Sequence, residues 1–154
     1  MARIKVNIRD VNRMPQLVAN LKELKGYVIK VGIFGSDEYV MIANVHEFGA
    51  RIRNGKGYTI IPERSFLRST FDETNGEWII FFESQLKLLL KGQLDAKTLC
   101  ERLGARMVAD IQKKIKEIDT PPNAPSTIAQ KGSSNPLIDT GGLRQRITYK
   151  VEKK

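Results

Sequence analysis

His46 is the chain's sole histidine and Cys100 its sole cysteine, so nucleophilic or metal chemistry would have to start from them. His46 stands in His46-Glu47-Phe48-Gly49. A two-histidine zinc helix needs its second imidazole four residues on, and Ala50 occupies that position. A Cys–His pair can form at any sequence distance. Cys100, however, sits in an apolar helical stripe, where a thiol is a small hydrophobe and nothing activates it. His46 therefore reads as a partly buried side chain with a structural hydrogen bond. A cysteine hydrolase built on both residues is the enzymatic alternative. Gly32-Ile33-Phe34-Gly35 follows a strand, as a phosphate loop would, but lacks the third glycine of a dinucleotide fingerprint. Lys131-Gly132-Ser133-Ser134 carries nucleotide-loop residues in the wrong order. Both read as turns. Glu63, Asp72, Glu73, Glu77 and Glu83 are scattered along helices as solvated faces. No catalytic, metal or cofactor-binding residue is expected, and the chain reads as non-enzymatic.

A single cysteine also excludes an internal disulfide framework and any multi-cysteine metal cluster, and fits synthesis in a reducing cytoplasm. The 154 residues suit one domain. The net charge is +9 and is unevenly spread: seven Lys/Arg face two Asp/Glu in residues 1–36, eight face nine in 37–100, and eleven face six in 101–154. Basic ends favour an acidic partner, nucleic acid or protein, by steering and counterion release, or else form a solvated surface. No helix-turn-helix, zinc-finger or stacking-aromatic RNA pattern is present. Arg51, Arg53 and Lys56, with Arg144, Arg146 and Lys150, would track phosphates without reading bases. A sequence-independent nucleic-acid-binding module is thus the alternative function. The most apolar stretch, Trp78 to Leu90, is too short to cross a bilayer and is interrupted by Glu83, Gln85 and Lys87. Met1 to Asp10 has no uninterrupted apolar stretch and does not read as a signal peptide. A soluble protein without a membrane partner is expected.

The elements follow from periodicity. Ile4, Val6 and Ile8 alternate with polar residues, which predicts a half-buried strand. Val11, Met14, Leu17, Val18, Leu21 and Leu24 recur at helical spacing, with Pro15 near the start and Gly26 at the end. Tyr27 to Phe34 predicts a strand, and Glu38 to Phe48 a short helix stopped by Gly49. Asn54-Gly55 within residues 51–57 predicts a hairpin, because both central residues of the favoured turn need positive φ. Tyr58 to Ile61 is the returning strand. A helix is expected from Pro62, interrupted at Asn75-Gly76 and ended near Gly92. Thr98 and Glu101 predict a capping box, followed by the stripe Leu99, Leu103, Met107, Ile111, Ile115 and Ile118. Pro121-Pro122 ends that helix. Thr120 to Asn135 reads as a long Pro/Ser/Gly-rich loop, and Ile147, Tyr149 and Val151 as a last strand. The fold class expected is α+β, a small antiparallel sheet packed against several helices, with a long β-hairpin and that loop.

Two segments carry a resemblance. One is Ala43-Asn-Val-His-Glu-Phe-Gly49, followed by Ile61-Pro-Glu-Arg-Ser-Phe-Leu-Arg68. The other is Pro121-Pro-Asn-Ala-Pro-Ser-Thr-Ile-Ala-Gln-Lys-Gly132, continuing into Asn135-Pro-Leu-Ile-Asp-Thr-Gly-Gly-Leu-Arg144. In this order and spacing they resemble the tailed-bacteriophage virion-morphogenesis and tail-completion (neck, head–tail joining) proteins. Ser65 stands where a second proline is common, and Gly142 where a larger residue is usual, which would loosen the turn before the last strand.

The resemblance implies an α+β fold and self-assembly into a homo-oligomeric ring around the DNA exit channel, without catalysis or cofactor. The implied partners are further copies of the chain, a head connector or stopper, and a tail terminator or tube protein, with non-specific contact to genomic DNA. The implied location is the virion neck, after synthesis in the host bacterial cytoplasm. The motif residues are His46, Glu47, Phe48, Gly49, Pro62, Arg64, Phe66, Leu67, Pro136, Leu137, Asp139, Thr140, Gly141 and Leu143. Their glycines and prolines would fix turns, while Phe48, Phe66 and Leu67 would pin the hairpin base to the core. The hairpin tip (50–58) and the 120–135 loop are then expected to be mobile before assembly and to reach a neighbour. Arg51, Arg53, Asn54, Lys56, Pro122, Ser126, Thr127, Ile128, Lys131 and Arg144 are the candidate interface residues.

Overall fold

The computed structural model describes residues 12–36, 38–55 and 57–154. The strand expected around Ile4, Val6 and Ile8 lies outside them. Among the described residues the order is α1 (Met14–Lys25), β1 (Tyr27–Gly32), α2 (Glu38–Phe48), β2 (Ala50–Asn54), β3 (Gly57–Ile61), α3 (Leu67–Leu90), α4 (Ala96–Glu117), α5 (Pro125–Lys131), α6 (Gly142–Gln145) and β4 (Thr148–Lys153). The fold is α+β with small antiparallel sheets, as the patterning indicates. No helix among the described residues is long and apolar enough to cross a membrane.

α4 organises the molecule because its apolar stripe is nearly complete. Leu99, Cys100, Leu103, Ile111 and Ile115 are buried, and each large apolar side chain removed from water contributes about 1.5–3 kcal/mol. The helix packs against α3, β1 and β4. β1 and β4 pair antiparallel in the register Tyr27↔Lys153 to Gly32↔Thr148. The ladder lies close to α4 because Gly104 has no side chain: a Cβ there would stand 2.6 Å from Tyr149 Cδ2. One core cluster gathers Ala43, Phe66, Ile111, Ile115, Leu137, Leu143 and Ile147, and a second gathers Leu89, Ala96 and Leu99.

Several boundaries differ from the sequence reading. The cap of α4 is Asp95, whose carboxylate accepts the Thr98 amide at 2.9 Å and the Thr98 hydroxyl at 2.6 Å. Thr98 is therefore a donor inside the first turn, and a carboxylate at the cap also meets the positive end of the helix dipole. α3 starts at Leu67, five residues after Pro62, and runs unbroken through Asn75-Gly76. Thr74 and Asn75 bond back to the carbonyls of Thr70 and Phe71 at 2.6 and 2.9 Å. Packing of Trp78, whose indole donates to Asp110 Oδ2 at 2.8 Å, holds the helix together against a glycine cost of about 1 kcal/mol. In the hairpin Asn54 pairs with Gly57, so the turn is shifted by one residue from Asn54-Gly55, and Gly55 has φ +56°. The 120–135 segment is not all loop. Pro125 opens α5, where its missing N–H costs nothing, and Gly132 in the left-handed conformation closes it. α1 forms as expected but buries none of its residues.

Candidate functional site

The two motif segments meet, and Glu47 is where the meeting starts. Glu47 lies in the last turn of α2 and is buried. Its Oε2 accepts the amides of Phe66 and Leu67 at 2.8 and 2.9 Å. Its Oε1 accepts the Ser65 hydroxyl at 2.7 Å, the Arg68 amide at 3.0 Å and Arg68 Nε at 3.1 Å. These amides are the free donors of α3's first turn, so a carboxylate from α2 caps a helix whose own N-cap residue, Phe66, has no capping side chain. Burial pushes the Glu47 carboxyl up, but the bonds from Ser65, Leu67 and Arg68 outweigh it and hold the group below the usual carboxylate range. Ser65 thus supplies one of the donors.

Arg68 completes this corner. Its Nη2 donates to the Glu47 carbonyl and to Glu63 Oε1, both at 2.7 Å. Its guanidinium lies 4.7 Å from the centre of the Phe48 ring. Phe48 is exposed, which corrects the expectation that it pins the hairpin to the core. Phe66 does so, fully buried, with Leu67 packed beside it. Gly49 turns the chain from α2 into β2 with φ +71°, and a Cβ there would stand 3.0 Å from the Ile61 carbonyl. The Arg64 amide donates to the His46 carbonyl at 2.7 Å, tying the end of β3 back to α2.

Arg64 then joins the first motif to the second. Its Nε donates to the Pro121 carbonyl at 2.7 Å, and its Nη2 to the Pro122 carbonyl at 3.1 Å and to Asn123 Oδ1 at 3.4 Å. Further along, Asn135 donates to the Lys116 carbonyl at 2.9 Å and accepts the Leu137 amide at 2.9 Å. Pro136, Leu137 and Leu143 are buried, while Asp139 and Thr140 are exposed. Gly141 takes φ +83° at the start of α6. Gly142 does not loosen this turn: Tyr39 lies directly against it, where a Cβ would collide with the phenol.

The structure brings the hairpin base and the 121–136 segment together around one cavity. His46, Thr59, Ile60, Ile61, Arg64, Asn123, Thr127 and Lys131 are among its lining residues, and its volume is ≈ 560 Å³. Of the candidate interface residues, Pro122, Thr127 and Lys131 line it. Arg51, Arg53, Asn54 and Ser126 are exposed elsewhere, and Ile128 and Arg144 are half-buried. Lys56 lies outside the described residues. His46 has its pKa lowered to about 4, first by burial and then by the positive charges of Arg64 and Lys131. Cys100 borders a different cavity, with Leu21, Leu24, Tyr27 and Phe82. Burial pushes its thiol up, with Glu101 adding to the effect. The structure does not bring Cys100 and His46 to one site. Among the described residues no group of three or more His, Cys, Asp or Glu converges on a common point.

Arg68, Asn123 and Asn135 are not among the residues the sequence singles out, and Ser65 is marked there only as a departure from a proline, not as a donor. Ser65 and Arg68 stand inside the quoted motif, and their spacing around Phe66-Leu67 at a helix start was the available signal. The chain matches no family model, no curated protein and no solved structure.

Proposed function

We propose that the chain is a structural component of a tailed-phage neck, completing the tail and joining it to the head connector as a homo-oligomeric ring around the DNA channel. The reading rests on the motif pair and on one structural observation, the isolated hairpin. Among the described residues β2 and β3 pair only with each other, and Ile52 and Ile60 are 47% and 74% exposed. A two-stranded ribbon is marginal by itself in water. Apolar side chains left on both its strands gain most from a neighbouring copy. Phe71, Ile79 and Ile80 on α3, and Met14, Val18 and Leu21 on α1, are exposed as well. They offer a second surface, which a closed ring requires, since each subunit meets its two neighbours through different faces. On this reading the hairpin and the 120–135 segment settle on assembly, against the connector or stopper on one side and the tail terminator or tube on the other. The test is genetic and direct. Particles made without this chain should accumulate as separate heads and tails, and normal joining in its absence overturns the reading.

A companion reading, sequence-independent nucleic-acid binding, is supported by Arg51 and Arg53, both exposed on β2. A salt titration decides it. Phosphate contacts make affinity fall steeply with ionic strength, and negligible binding at low salt removes it.

A further inference from the structure

Arg64 is only 5% exposed, yet among the described residues every hydrogen bond its guanidinium makes goes to a neutral oxygen, on Pro121, Pro122 or Asn123. Lys131 Nζ likewise reaches a carbonyl, that of Pro136, at 3.4 Å. Neither cation forms an ion pair among the described residues. A guanidinium removed from water without an opposite charge is costly to a fold. Both cations line the ≈ 560 Å³ cavity with His46 and Asn123. Those two residues carry buried side-chain atoms, His46 Nδ1 and Asn123 Nδ2, that have no hydrogen-bond partner. Asp139 borders the adjoining cavity with His46 and Lys131 but pairs with neither. Ile60, Ile61, Pro62, Pro122 and Pro136 form the apolar part of the wall.

We propose that this cavity is a docking site for an acidic side chain of another protein, its carboxylate received by Arg64 and Lys131 and hydrogen-bonded by the unmet groups of Asn123 and His46. The apolar wall suits the methylene stem of such a side chain, whereas a duplex phosphate stays at the surface of its helix. The net charge of +9 steers an acidic partner toward the cleft and works against a second copy of the chain as the occupant. The inference stands on the cavity alone and does not depend on ring formation.

His46 is the sole histidine, so its imidazole C–H signals in an NMR spectrum report on this cavity. The probe is the capped tripeptide acetyl-Gly-Glu-Gly-amide, titrated into the intact chain at constant ionic strength, with its Gln counterpart and inorganic phosphate run alongside. The Glu peptide should move the His46 signals saturably in the millimolar range, and the Gln peptide should not. Lys131→Gln, which gives up one long hydrogen bond to Pro136, should weaken the Glu peptide at least about tenfold. Lys97→Gln, at the exposed start of α4, should change nothing. The proposal is overturned by an absent response to the Glu peptide, by equal responses to both peptides, or by unchanged affinity in Lys131→Gln. Phosphate moving the signals where the Glu peptide does not would assign the cavity to a phosphate ligand and overturn it too.

Discussion

Glu47 Oε2 accepts the backbone amide of Phe66 at 2.8 Å, 19 residues along the chain. The end of α2 is thereby the cap of α3, and the intervening hairpin is held at both its roots. The same carboxylate takes the Arg68 guanidinium, so a single buried side chain fixes one helix start and the base of β2–β3.

Glu47→Gln should therefore cost more than an ordinary surface change. The amide keeps the shape but presents an NH2 group to donors that need an acceptor, and it removes the charge facing Arg68. Leaving buried donors unmet costs about 1–3 kcal/mol, and more where a charge was involved. Urea unfolding should show a loss of about 3 kcal/mol. A loss no larger than experimental error would show that the cap is dispensable.

Acid should weaken the fold in two stages. An unfolded imidazole titrates near 6.5, while His46 in the folded chain titrates at about 4. Between those values the unfolded chain holds the additional proton, so His46's share of stability is whole above about 6.5 and drains away toward about 4. Glu47, with its folded pKa lowered, contributes stability above the unfolded value near 4.3 and loses it as pH falls through its folded pKa. Thermal midpoints measured from about pH 7.5 to about pH 4.5 should decline, and His46→Gln should flatten that decline. Parallel curves for the two proteins would exclude His46 as the source.

Gly104→Ala should destabilise, although alanine is the better helix former by about 1 kcal/mol. The added Cβ would stand 2.6 Å from Tyr149 Cδ2 and 2.7 Å from Cγ, near the stem of a ring that cannot swing aside without moving β4. Overpacking costs typically about 1–3 kcal/mol, which exceeds the helical gain in most of that range. Measured in a Tyr149→Ala background, where Cγ and the ring are gone, the Gly104→Ala loss should largely disappear. A stabilised Gly104→Ala would mean that β4 shifts freely.

Ile52→Glu with Ile60→Glu addresses assembly. Both side chains are exposed in the single chain, so its unfolding should change by no more than about 0.5 kcal/mol. Self-association, followed by light scattering across a concentration series, should be lost. An oligomer that forms undiminished would remove the hairpin from the subunit contact.

Periodicity settled a good part of this fold. α2 spans Glu38–Phe48 as the apolar spacing indicates, the α4 stripe is core, the last strand lies where alternation places it, and the hairpin forms at the Asn54-Gly55 signal with its turn one residue on. These features are local: a repeat of two or 3.6 residues states which face is apolar, and that is enough to name an element. The two motif segments were also visible as strings of residues, though not as a structure.

What only the tertiary structure decided is where distant groups complete one another. α3 begins at Leu67 because Glu47 meets its free amides, and no spacing within residues 62–67 encodes a carboxylate arriving from α2. Arg64 looks like any charged motif residue until the Pro121 and Pro122 carbonyls close over it. Phe48 and, on α1, Met14, Val18 and Leu21 are apolar but remain exposed, because composition states what would benefit from burial while the packing of this one chain determines what is covered. A hydrogen-bond partner is chosen by position in space, and the linear order of residues carries that choice only through the completed fold.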